Sequence, residues 1–126
     1  MRREDYGEVF EGIDPRTVEF LMALQEQSRE RFQIFIDRCK TGENNRVPMD
    51  QAFLRGWKSI LDILWLKVNR IAGYSDQWEK GGLSREAFER LRESTLEELS
   101  DLGNYADWCA VDFRRWANQE NRGEKL

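Results

Sequence analysis

The chain has 126 residues, with 24 acidic against 20 basic side chains, no histidine and two cysteines. That length fits one domain able to bury roughly two-thirds of its unfolded surface, so 1–126 is expected to be a single helical domain with a core over about residues 15–117. Without histidine, histidine-containing zinc sites and histidine-dependent triads are excluded, and a net charge of −4 argues against a nucleic-acid partner, because phosphate binding rests on a basic field.

The N-terminus MRREDYGEVFEG has no apolar signal core, and charge interrupts every apolar stretch short of a membrane span. Cys39 and Cys109 fall in helical apolar patterns with no metal-ligand spacing, so a reduced, cytoplasmic protein outside any membrane is expected. Asp14-Pro15 supplies an N-cap followed by proline at the first helical position. The helix it opens runs to about Lys40, with Val18, Leu21, Leu24, Phe32, Phe35 and Cys39 on one face. Thr41 to Arg46 reads as a loop.

Asp50 can cap a second helix whose stripe is Leu54, Trp57, Leu61, Leu64, Val68 and Ile71, with Gly73 as its stop. Ile60, Ile63, Trp65 and Leu66 lie off that stripe, which points to a central helix or one covered by another subunit. Residues 73–83 read as a connection with a flexible point at Gly81-Gly82. Ser84 can open a short third helix, and Ser94 with Glu97 forms a capping box for a fourth. The fourth would bury Leu99, Leu102, Ala106, Cys109, Phe113 and Trp116 before the chain turns polar. No strand alternation or fixed repeat persists, and the predicted fold is all-α, a small antiparallel helical bundle.

Glu98 and Asp101 are three apart and therefore neighbours on one helical face, where they can share a hard cation. An E-x-x-D pair near a helix start also serves capping and the macrodipole, which is its commoner use. The same face continues through Tyr105, Trp108 and Asp112, a strip on which a base could pack or which could cover a neighbouring helix. Asp62 sits in the most apolar run of the chain, 60–68, where a carboxylate must be paired, hydrogen-bonded or metal-bound; Lys58 is an available partner. Lys67 and Arg70 make a small cationic edge suited to phosphate oxygens or to a helix C-terminus.

The segment Asp62-Ile-Leu-Trp-Leu-Lys67-Val-Asn-Arg70-Ile71, followed by Glu98 through Asp101-Leu-Gly-Asn104-Tyr105-Ala106, resembles the MazG-like all-α nucleoside triphosphate pyrophosphatases, and within them a phage branch associated with nucleotide modification. The resemblance spans about residues 50–112. It implies a magnesium site at Asp62, Glu98 and Asp101, with Glu97 orienting the attacking water. It also implies phosphate contacts from Lys67 and Arg70, and nucleoside contacts from Asn104, Tyr105 and Trp108. The reaction it implies converts a nucleoside triphosphate to the monophosphate and pyrophosphate, in a dimer or tetramer of identical chains. One departure stands out: the earlier helix carries Asp62 with Trp65 three residues on, where the family has two glutamates. The alternative is a catalytically silent helical module, or a structural subunit of a larger complex.

Overall fold

The structure, a computed structural model, describes residues 8–40 and 56–121, the side chains at 38, 39, 120 and 121 excepted. Among the described residues it holds three helices and no strand: α1 over Pro15–Lys40, α2 over Trp57–Lys80 and α3 over Arg85–Asn121. The expected loop at 41–46, the Asp50 cap, Leu54 and the Cys39 side chain lie outside the described residues. None of the described helices is long and apolar enough to cross a membrane.

α1 begins as its sequence predicts. Asp14 Oδ1 accepts a hydrogen bond from Arg16 N at 2.8 Å, which satisfies an amide that the first turn leaves without a helical partner. α2 does not stop at Gly73 but runs seven residues further, to Lys80. One glycine costs a helix about 1 kcal/mol relative to alanine, and that is too little to end a helix whose next turn carries Trp78. The Trp78 ring packs edge-on against Phe88, with centroids 5.0 Å apart, and its indole N–H donates to Thr95 Oγ1. The chain reverses instead at Gly81 and Gly82, whose φ values of 64° and 65° favour glycine.

The two expected C-terminal helices are one. Ser84 caps α3, its Oγ accepting from Ala87 N at 3.1 Å, and the helix then continues for 37 residues. The capping box at Ser94 goes unused. Between Arg85 and Leu102 there is no glycine or proline to break the helix, and the neighbouring Thr95 donates back to Leu91 O at 2.6 Å, a bond made within the helix.

α2 and α3 form an antiparallel hairpin. Trp78 meets Phe88 at the turn, Lys67 meets Glu98 and Asp101 midway, and Trp57 meets Phe113 and Trp116 at the open end. α1 lies along the other flank of α3 in the parallel sense, so that Gln27, Arg31 and Phe35 face Ser100, Asn104 and Trp108 in turn. The topology is up-down-up, with α3 as the spine.

The buried faces differ from those expected. Ile60, assigned off the α2 stripe, is fully buried, whereas Leu61 and Val68 are exposed. On α3, Leu99, Phe113 and Trp116 are partly open and Ala106 is exposed. The strip from Glu98 and Asp101 through Tyr105, Trp108 and Asp112 turns inward, with Asp101 and Trp108 buried and Asn104 buried beside them, while Cys109 is buried as expected. Ile60, Trp108 and Cys109 form the centre, with Phe35, Trp57, Leu64 and Tyr105 packed around it.

Candidate functional site

Helical spacing brings Lys67 inward. It lies seven residues, two turns, after Ile60 and so shares the buried face of α2. Opposite it, Glu98 and Asp101 project from adjacent turns of α3. Lys67 Nζ is 3.0 Å from Glu98 Oε2 and 3.2 Å from Asp101 Oδ2, and the three side chains are only 10–14% exposed. Arg70, one turn further along α2 and half-exposed, reaches Glu98 Oε1 at 3.3 Å. Two carboxylates and two cations therefore converge between the helices, beyond the apolar centre.

The bonding inside this group is uneven. Lys67 donates to Asp101 Oδ2 in good geometry. Glu98 Oε2, although within ion-pair distance of the same ammonium, is buried and accepts no hydrogen bond. At 3.0 Å it is nonetheless the nearer of the two carboxylate oxygens to the ammonium. Burial alone would lower the Lys67 pKa, but contacts with Glu98 and Asp101 outweigh it and hold the ammonium above its ordinary value.

No known family model, curated protein or solved structure matches this chain.

Of the residues singled out in the sequence, the structure gathers Lys67, Arg70, Glu98 and Asp101. It does not bring Asp62 to them. At 100° per residue Asp62 points about 200° away from Ile60, and it is exposed rather than buried among its apolar neighbours. Glu97 is also exposed and turns to the groove between α1 and α3, beside Gln27 and Ser100. Among the described residues, no three acidic or sulfur side chains gather into a metal-binding group. The carboxylate pair stands without the third protein ligand that the resemblance implies.

Asn104, Tyr105 and Trp108 divide between two environments. Tyr105 and Trp108 stack on one another, centroids 5.7 Å apart and nearly parallel, and Trp108 belongs to the core. Asn104 is buried against α1. Its Oδ1 accepts from Arg31 Nη1 at 3.0 Å and its Nδ2 donates to Arg31 O at 2.9 Å. Arg31 also pairs with Asp107 at 2.7 Å. The Arg31 side chain passes close over Gly103, where an added Cβ would come within 2.8 Å of Arg31 Cδ and Nε. This clamp fixes α1 on α3 next to the site, and sequence reasoning missed it. Its available signal was Gly103 itself, an isolated glycine inside a helical pattern.

Cys109 is buried, and its Sγ donates to Trp57 O at 3.5 Å. Burial, helped by Asp112, pushes its thiol up, the setting of an inert core cysteine.

Proposed function

We propose that the chain binds a nucleoside triphosphate together with magnesium at Lys67, Arg70, Glu98 and Asp101, and that it releases pyrophosphate to leave the monophosphate. The observation that carries this reading is the convergence of two nearly buried carboxylates, one turn apart, on a single cationic point. Charges so placed are a costly way to hold two helices together, since apolar side chains of similar volume often do so at least as well.

The donor set fits magnesium. The Lys67 ammonium marks a position approached by an oxygen from each carboxylate. Magnesium is commonly held by one or two carboxylates with the rest of its shell from water and phosphate. Glu98 and Asp101 would hold it; when bound, it supplies phosphate-charge neutralisation and an activated water. Lys67 and Arg70 offer the donors that bind phosphate oxygens. Tyr105, half-buried one turn after Asp101, offers an aromatic face to the nucleoside.

A second reading, a helical interaction module or structural subunit, is favoured by the outer face of α2. Trp65 is 70% exposed there, flanked by exposed Leu61 and Val68. A second copy of the chain is the partner proposed for this face, and self-association is compatible with either reading.

Incubation with magnesium and a panel of ribo- and deoxyribonucleoside triphosphates, with pyrophosphate and monophosphate measured beside an Asp101→Asn variant, tests the proposal. Release by the native chain alone is the expected result. No release, with no nucleotide-dependent rise in Tm, leaves the interaction module.

A further inference from the structure

We infer that Lys67 is an internal stand-in for the metal, so that a divalent cation and a polyphosphate enter the site as linked ligands; this rests on the nucleotide reading above. The ammonium already occupies the point where the two carboxylates meet, 3.0 Å from Glu98 and 3.2 Å from Asp101. Magnesium takes oxygen ligands closer still, at about 2.0–2.1 Å, so Glu98 and Asp101 would have to draw together to hold it. The two positive charges cannot occupy that point together, so metal entry expels the ammonium.

An ammonium expelled by metal alone loses both of its carboxylates. On α2 its neighbour one turn on is another cation, Arg70, which itself leans on Glu98 at 3.3 Å. A polyphosphate changes the balance because its oxygens accept from Lys67 and Arg70 together. With Lys67 drawn to phosphate, Glu98 and Asp101 are left as adjacent negative charges that favour a cation between them. Each ligand removes the obstacle to the other, and linkage of this kind is reciprocal. Arg70, being half-exposed, is the group an arriving phosphate meets first.

Calorimetry on the full chain tests this with magnesium alone, with inorganic tripolyphosphate or the α,β-methylene triphosphates of the common nucleosides in chelator, and with both together. With the magnesium taken up by the triphosphate itself, measured without protein, subtracted, magnesium should bind the native chain at least about tenfold more tightly when the triphosphate is present, within the usual span of a coupling between two ligands. Lys67→Met should bind magnesium alone about tenfold more tightly than the native chain, and the triphosphate more weakly. If the native chain binds the magnesium triphosphate but Lys67→Met gains nothing for magnesium alone, the stand-in role falls and the nucleotide reading survives. If no triphosphate binds with or without magnesium, both fall. Should circular dichroism show Lys67→Met unfolded, the native chain decides: equal magnesium affinity with and without triphosphate overturns the inference.

Discussion

Lys67 sits where two turns of α3 present acid to one base, and its loss leaves Glu98 and Asp101 without the cation they share. Breaking a largely buried pair in this way costs about 3 kcal/mol or more, so the urea midpoint of Lys67→Met should fall clearly below that of the native chain. The proton on Lys67 gives a second test. Its folded pKa lies above the ordinary value, so the folded state holds the proton more tightly than the unfolded chain. The resulting stability is complete below the unfolded pKa and is lost as pH rises through the folded one, a window opening at about pH 10. Native stability should therefore drop more steeply than that of Lys67→Met across this window; parallel curves would count against the pairing. The raised Cys109 thiol pulls in the same direction in both proteins and cancels in the comparison. Asp62 is the contrasting residue. Its apolar neighbours in sequence suggested burial, but a helix sends successive side chains to different faces, and this one meets solvent. Asp62→Asn should change stability by no more than about 0.5 kcal/mol.

Two glycines separate what a helix tolerates from what its packing requires. Gly73 lies inside α2, and a Cβ added there meets nothing within 4 Å; Gly73→Ala should stabilise the chain by about 0.5–1 kcal/mol. Gly103→Ala gains the same propensity but pushes a Cβ into the Arg31 stem. Displacing that stem strains its bond to Asn104, which as a contact to a charged group contributes about 1.5–3 kcal/mol, and its pair with the exposed Asp107, which contributes about 1 kcal/mol or less. Thermal unfolding should show opposite signs for the two variants, and two shifts of the same sign would mean that the clamp adds little. Two helix starts were legible in the sequence because Asp14 and Ser84 carry side-chain oxygens that answer free amides, whereas the start expected at Ser94 falls inside a continuous helix. Helix ends and faces were less so. Gly73 and the Ser94 box are signals weak enough for tertiary contacts at Trp78 and Thr95 to override. The inward face of α3 was misplaced because its buried members include Ser100, Asp101 and Asn104, polar residues that a search for apolar periodicity assigns to solvent. The four-charge group was legible as two separate pairs, and only the hairpin register joins them.

Across the whole molecule, large apolar side chains stay open on every helix, among them Phe20 and Phe32 of α1, Trp65 of α2 and Phe113 of α3. Aromatic residues of this kind are enriched where proteins meet. If Trp65 is at the centre of contact between copies, Trp65→Glu should yield monomers by light scattering while keeping the helical signal. An unchanged molar mass would remove that face from the interface. The length of α3 affects how such a measurement must be made. At 37 residues it extends about 55 Å, whereas a sphere with the radius of gyration of a compact domain of this chain length, about 14 Å, is about 36 Å across. The described part of a single copy is therefore elongated, with more friction per unit mass than a sphere. It should leave a sizing column early, mimicking a heavier particle, and tumble anisotropically about its long axis. Elution volume alone would overstate the mass of one copy.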